Sequence, residues 1–296
     1  MMTRSNRAVA LLAIAAAAAL PAHAESGWSL LNMTQGVTDI SRKIYDLHML
    51  IFWVCVAIAV VVFGAMLYSI VTFRKSQGAV ADTTIVHNTR VEIVWTAIPV
   101  VILIAMAVPA ARTLVEIEDT TRTELTIKVT GFQWGWNYDY LDRGVSFFSR
   151  LDPESDHARE LASGIDPNTI PHYLLNVDHP LVVPVGTKVR LLITGADVIH
   201  SWWVPAFGVK KDAIPGFVNE AWFNIDADKP GLYRGQCAEL CGRDHGFMPI
   251  VVDARSKQEF EAWLKDKAAE QKQAATPESA PAPTASSTTT AAPSKS

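Results

Sequence analysis

Two long apolar runs, roughly His48 to Phe73 and Val91 to Leu114, constrain this chain more than any other feature. Each is close to the ~20 residues an α-helix needs to cross the hydrocarbon of a bilayer. A segment in lipid must satisfy its own backbone polar groups, so both runs are read as transmembrane helices, spanning 48–73 and 91–114. Pro99 and Pro109 in the second run predict a bent helix packed against a larger partner, because a neighbour can satisfy the carbonyls that proline frees. The connecting loop, 74–90, carries Arg74, Lys75 and Arg90 against Asp82, whereas Glu116, Glu118 and Asp119 follow the second run. That asymmetry puts the loop in the cytoplasm and both mature termini outside. Ahead of the helices, residues 1–24 start with Arg4 and Arg7, continue Ala/Leu-rich and end Ala22-His23-Ala24, the form of a secretory signal peptide. Its removal leaves an exterior segment, 25–47.

Beyond about Thr123 the pattern changes to short β-rich stretches separated by Gly, Pro and Asp. These are Glu124 to Thr130, Tyr173 to Val177, Leu181 to Val183, Lys188 to Thr194, Ala221 to Ile225 and Pro249 to Asp253. Short punctuated strands point to an all-β sandwich or barrel, here assigned to 115–265. Ser256 and Glu259 have the spacing of a capping box and predict a closing helix. Residues 266–296, dominated from about Gln271 by Ala, Pro, Ser and Thr, are expected to stay disordered. Arg143 to Pro171 reads as an extended loop. The chain has no internal repeat, and its net charge of −4 over 296 residues selects no partner class.

Of the three cysteines, Cys55 lies within the first apolar run, where a small buried thiol is the ordinary reading. Cys237 and Cys241 belong to a short loop that also holds His245 and Met248. Outside the cytoplasm two cysteines alone would be as well explained by a disulfide. Thiolate, imidazole and thioether donors together instead select copper, while structural zinc would have no use for the methionine. A mononuclear blue-copper site needs one cysteine; the second suggests two copper ions bridged by two thiolates, each with a terminal histidine. His48 and His87 flank the apolar runs, and His157, His172 and His179 lie among turn residues. His200 is different, because it follows an apolar strand and precedes Ser201-Trp202-Trp203-Val204-Pro205, and a sandwich can bring its loop beside the later one.

With these residues assembled, Asp197 to Pro205 and the Cys237 to Met248 loop resemble the cytochrome c oxidase subunit II family, and the resemblance runs from about Asp46 to Asp253. It implies a two-helix transmembrane hairpin followed by a cupredoxin-like domain holding a dinuclear CuA centre. Carried over, Cys237 and Cys241 bridge the coppers, His200 and His245 are terminal ligands, and Met248 and the Glu239 carbonyl are weak ligands. The Glu239 carboxylate is implied to reach a magnesium or manganese ion, or else it only hydrogen-bonds the loop. Gln133-Trp134-Gly135-Trp136, assigned to the first β segment, resembles the family's aromatic region, which makes Trp134 the electron entry point. Without the resemblance it reads as core packing.

Asp139, Asp142 and Asp197 are candidates for an acidic patch that steers a basic cytochrome c, with Asp197 alternatively a partner of His200 or a turn residue. Glu92 corresponds to a glutamate at the mouth of a proton pathway, although a carboxylate in the first turn of a helix is stabilised there without further function. The implied activity is that of an electron-entry subunit of cytochrome c oxidase in a bacterial inner membrane, with subunits I and III as partners and cytochrome c as donor. A quinol oxidase subunit would lack the copper ligands, and a nitrous oxide reductase would need a further large domain. A membrane-tethered copper carrier or assembly protein is the alternative of a different class. The chain contains no C-x-x-C-H, so the donor haem is expected on a separate protein.

Overall fold

The computed structural model describes residues 31–80, 83–84 and 87–275. The expected signal peptide and the chain beyond 275 lie outside the described residues. The apolar runs form helix α1, Asp39–Thr72, and helix α2, Thr89–Ile117. α1 starts at Asp39 because Thr38 and Ser41 cap each other reciprocally, each hydroxyl accepting the other's backbone N–H at 3.0 Å. Its first polar turns therefore stand above the apolar run, within the expected exterior segment. Asn88 caps α2 by accepting from the N–H groups of Arg90 and Val91, and the helix continues through both prolines. At ~1.5 Å per residue each helix is longer than the ~30 Å of bilayer hydrocarbon. Trp53, Phe63, Trp95 and Leu103 are exposed along them. An apolar surface of this extent requires lipid or another subunit as cover.

The rest is a two-sheet β domain. One sheet contains β1 (Leu125–Phe132), β2 (Gly135–Tyr140), β3 (Val145–Ser149), β5 (Lys188–Gly195) and β8 (Asn219–Asn224), in the order β3-β2-β1-β5-β8. The other contains β4 (Leu181–Pro184), β6 (His200–Val204), β7 (Val209–Ala213), β9 (Gly231–Cys237) and β10 (Pro249–Arg255), in the order β4-β10-β9-β6-β7. β1 runs parallel to β5, and β4 parallel to β10; the other neighbours pair antiparallel. Alternation sets the facing surfaces: Leu125, Ile127 and Val129 of β1 and Val189, Leu191 and Ile193 of β5 are buried, with less buried residues between them. Tyr140 links the two sheets, its hydroxyl donating to Val182 O at 2.7 Å and accepting from Val182 N at 3.0 Å. Burial pushes that phenol well above its ordinary pKa, outweighing the hydrogen bond with Val182 that favours the ionised form.

Several boundaries differ from those read in the sequence. Tyr173 to Val177 is not a strand: His172 and Leu174 have φ of 55° and 62°, which break an extended run, and only Val177 bridges to Leu151. The supposed loop from Arg143 contains β3 and a short helix, α3 (Pro153–Ala158), capped by Asp152. Gln133 and Trp134 lie in the turn between β1 and β2 rather than in a strand. The closing helix, α4, spans Lys257–Ala275 and so continues past Lys265. Ser256 and Glu259 make the expected capping box. Phe260 and Leu264 bury one face of α4, each worth about 1.5–3 kcal/mol of transfer free energy. Further along, the Gln271 amide pairs with both backbone groups of Ser146 on the edge strand β3, which explains why the helix extends so far.

Polar ties fix the β domain on its helical stem. Lys188 Nζ donates to the carbonyls of Asp119 and Thr121 just past α2, at 2.7 and 2.8 Å, and lies over the Trp222 ring. Trp222 Nε1 donates to Glu116 O at 3.3 Å, and Thr38 Oγ1 to Phe207 O at 2.9 Å. The orientation of the sheets relative to the helices is thereby set by backbone groups as well as by surface ion pairs.

Candidate metal centre

Strand pairing gathers the sulfur and imidazole donors at one end of the sandwich. β6 begins at His200, and its residue Trp202 faces Cys237 at the end of β9. β10 then returns from the loop with Pro249 opposite Gln236. The loop between Cys237 and Pro249 must consequently lie over the start of β6. Parallel pairing of β1 with β5 sets Gly131 opposite Gly195 under the same loop. A Cβ on Gly131 would fall 2.9 Å from the His200 ring, so only glycine leaves room for the imidazole. Gly242, at φ 118°, is similarly required, since a Cβ there would meet Gln133 Nε2 at 2.9 Å and the Trp134 ring at 3.1 Å.

The two thiols are free, buried and 3.9 Å apart, well beyond the ~2.05 Å of a disulfide. Cys241 Sγ lies 3.4 Å from Met248 Sδ and 3.5 Å from His245 Nδ1, and Cys237 Sγ lies 3.3 Å from the Glu239 carbonyl. Donor atoms of His200, Cys237 and Cys241 all lie within 4.8 Å of one another. His200 is fully buried; its Nε2 lies 2.9 Å from Asp197 Oδ1, while its Nδ1 has no hydrogen-bond partner. A buried ring nitrogen left unpaired beside two thiols is the condition expected of a metal ligand, with the carboxylate orienting the ring from behind. The donor set fits copper.

The grouped side chains shift one another's protonation. Burial raises the Cys237 thiol, but His200, backbone groups of Ser201 and Glu239, and His245 outweigh it and bring the pKa down to about 7. Cys241 is pushed up to about 12 by burial and by the neighbouring Cys237 sulfur. Burial lowers the His200 pKa, yet Cys237 and Asp197 together leave it raised. Asp197 is likewise subject to burial, which raises its pKa, but hydrogen bonding to His200 and to the N–H groups of Val198 and Gln133 leaves it lowered.

Trp134 touches the Cys237 to Met248 loop directly. Its Nε1 donates to Cys241 O at 3.2 Å, and Gln133 Nε2 donates to the same carbonyl at 2.9 Å. Trp136 lies edge-on to His200 with ring centroids 6.0 Å apart, and its Nε1 donates to Met248 O at 3.4 Å. The sequence does not single out Gln133 or Trp136 because their contacts arise from the β1–β2 hairpin folding under a loop a hundred residues later. Among the candidate acids, Asp197 is at the cluster. Asp139 and Asp142 are not, because β1–β2 register pairs Phe132 with Gly135 near the cluster and Ile127 with Tyr140 at the far end of the hairpin. At ~3.3 Å per residue that separation is of order 15–20 Å. Glu239 is exposed. Glu92 sits in the first turn of α2, where its carboxylate accepts from Asn88 N at 3.3 Å, far along the chain from the cluster.

A pair of apolar helices carrying a two-sheet domain with this donor cluster defines a membrane-tethered cupredoxin-like protein with a candidate His/Cys metal site. Residues 125–255 match the family model of the cytochrome c oxidase subunit II periplasmic domain, and residues 26–113 match that of its transmembrane domain. A probable cytochrome c oxidase subunit 2 from Rickettsia bellii is 39% identical over 230 residues, covering 78% of this chain and 81% of that protein. Cytochrome c oxidase subunit 2 of Cereibacter sphaeroides is 36% identical over 236 residues and 77% of each chain. The crystal structure of the periplasmic domain of subunit II of cytochrome oxidase from Bradyrhizobium japonicum is 43% identical, covering 50% of this chain and 96% of that one, with a TM-score of 0.43. The chain belongs to the cytochrome c oxidase subunit II family.

Proposed function

We propose that this subunit receives electrons from cytochrome c at a dinuclear copper centre and hands them to a haem-copper subunit I, where oxygen is reduced to water and protons are pumped. The observation that carries the reading is the donor geometry: two sulfurs 3.9 Å apart, Cys241 with the His245 imidazole and the Met248 thioether beside it, Cys237 within 4.8 Å of a His200 ring nitrogen, and a buried His200 Nδ1 without a hydrogen-bond partner. Cys237 and Cys241 would bridge the ions, His200 and His245 would be the terminal nitrogen ligands, and Met248 and the Glu239 carbonyl the weak ones. Copper held this way supplies one-electron redox chemistry. The protein's part is to fix the ligands and exclude water. Asp197 holds the His200 ring, Trp136 and Gly131 form its bed, and the buried Met248 backs the Cys241 sulfur at 3.4 Å. Buried ligands suit retention of a metal rather than its exchange, which favours the relay over a copper carrier.

In the same proposal Trp134 is the point of electron entry, Glu92 lies at the cytoplasmic mouth of a proton path, and the exposed Glu239 carboxylate binds magnesium or manganese against subunit I. The copper domain and both mature termini face the periplasm of a bacterial inner membrane, with subunit III as a further partner. The full-length chain, purified in detergent and loaded with copper, is expected to hold two ions per chain and to give one mixed-valence signal shared over both. A single ion with a localised signal at full loading sinks the dinuclear assignment.

A further inference from the structure

Residues 150–178, between β3 and β4, form a strap folded upon itself. Asp152 N donates to Asn176 O and Asp178 N to Arg150 O, while the buried Ser155 hydroxyl accepts from Leu174 N. Arg234 of β9 reaches out to Asn176 Oδ1 at 3.0 Å and pins the strap to the second sheet. From this strap Arg159 extends onto the loop that carries the metal-ligand candidates. Its guanidinium lies 4.4 Å over the centre of the Phe247 ring and 3.6 Å from Asp244 Oδ1. Asp156, one turn back on the strap, holds Arg159 Nε at 2.7 Å and so fixes the plane of the fork.

The two groups that Arg159 grips bracket His245. Asp244 precedes it and Phe247 follows two residues later, in a tight turn closed by Phe247 N donating to Asp244 O at 2.9 Å. The Asp244 side chain is only 12% exposed, and its other cationic neighbour, Arg243, is 82% exposed and therefore weakly restraining. A carboxylate so nearly buried needs a fixed partner, and the strap provides it. On the opposite side of the turn, Leu174 and Leu175 of the same strap line a cavity with His245 and Met248.

We propose that the strap is a clamp on the ligand loop, with Arg159 as a positioning residue that holds the His245 turn in its metal-ready conformation. The contacts alone support the clamp; its consequence for copper rests on the proposed metal site. Loss of a group that orients a ligand commonly lowers metal affinity about 10–100-fold. The test compares wild type, Arg159→Gln and Arg159→Lys as full-length chains in detergent.

In metal-free protein, amide hydrogen exchange at Arg243 to Met248 is expected to speed up several-fold in Arg159→Gln, while β1 and β5 keep their protection. With copper loaded, transfer to a chelator should be about tenfold faster and the copper spectrum should shift. Arg159→Lys, which retains charge but not the planar fork over Phe247, should fall between. Phe247→Leu tests the same grip from the other side and should speed exchange at the same amides. Unchanged exchange across that turn in Arg159→Gln overturns the clamp whatever the metal content. Faster exchange with an unaltered copper spectrum and transfer rate overturns its role at the metal. Failure of the wild type to take up copper refutes the metal reading instead, and the exchange data still decide the clamp.

Discussion

Replacing Trp134 with Phe separates an electron relay from simple packing, because the structure makes the cost of the change small. The indole loses one hydrogen bond, from Nε1 to Cys241 O at 3.2 Å. That carbonyl keeps the Gln133 amide at 2.9 Å, so no acceptor is orphaned, and the net loss is about 1 kcal/mol. The exposed Arg243 guanidinium lies 5.7 Å from the ring centre and contributes about 0.5 kcal/mol to an indole, part of which a phenyl ring retains. A total of about 1–1.5 kcal/mol corresponds to a fall of roughly 2–6 °C in the melting temperature of a domain this size. The proposed copper ligands themselves are untouched.

If electrons enter through the indole, which contacts the backbone of a proposed ligand, the Phe variant should be reduced by cytochrome c more slowly even though a stability loss of this size leaves it folded. We expect a drop of at least about tenfold, equivalent to some 1.4 kcal/mol on the barrier. Rapid mixing of reduced cytochrome c with the copper-loaded chain measures it directly. Gln133→Met is the control: it removes the other hydrogen bond to the same carbonyl while keeping the indole, and its reduction rate should stay near wild type. An unchanged rate in Trp134→Phe with a normal copper spectrum would show that the ring only packs. A lost spectrum would assign it to the scaffold.

Two further outcomes are expected. Glu92→Gln keeps an acceptor for Asn88 N, so the helix cap and the copper content should survive while proton-coupled turnover of the assembled oxidase slows; oxygen consumption equal to wild type across a pH series refutes the proton role. Glu220 bonds to Arg190 and Thr120, and these partners lower its pKa from 4.5. Its stabilisation is therefore present above pH 4.5 and lost as the pH falls through the lowered folded value, so Glu220→Gln should be less stable than wild type at neutral pH and the gap should close in acid. A gap in chemical-denaturation midpoint that stays constant down to pH 3 contradicts this linkage.

What could be read in the sequence was whatever chemistry or periodicity confines to a short stretch. Cys237, Cys241, His245 and Met248 share one loop, and the two apolar runs announce themselves by length, so anchor and donor set were legible together. Strand register was not. Asp139 and Asp142 lie close in sequence to Trp134, but the hairpin carries the chain away from the cluster as it runs from Gly135 to Tyr140. β2, with its mixed aromatic and polar residues, lacks the β-branched run that marks β5, and β6, β7 and β9 are likewise hidden until their partners supply burial.

The contacts that complete the site have a common origin. Each pairs a side chain from outside the Cys237 to Met248 loop with the backbone or an acid of that loop: Gln133 and Trp134 with the Cys241 carbonyl, Trp136 with the Met248 carbonyl, Arg159 with Asp244. A loop that contributes its own thiols, imidazole and thioether has few groups left with which to hold itself in place. Its shape must be imposed from outside, by the β1–β2 turn beneath it and the strap beside it. Rigid placement of ligands before metal arrives is what allows a redox centre to change oxidation state with little rearrangement. The same logic locates the weakest point of the assembly at His245, which is only half-buried and whose turn is gripped from outside by Arg159, rather than at His200, which is sealed between Gly131, Trp136 and Asp197. Copper loss from Arg159→Gln should accordingly begin at the His245 side, with the environment of His200 the last to change.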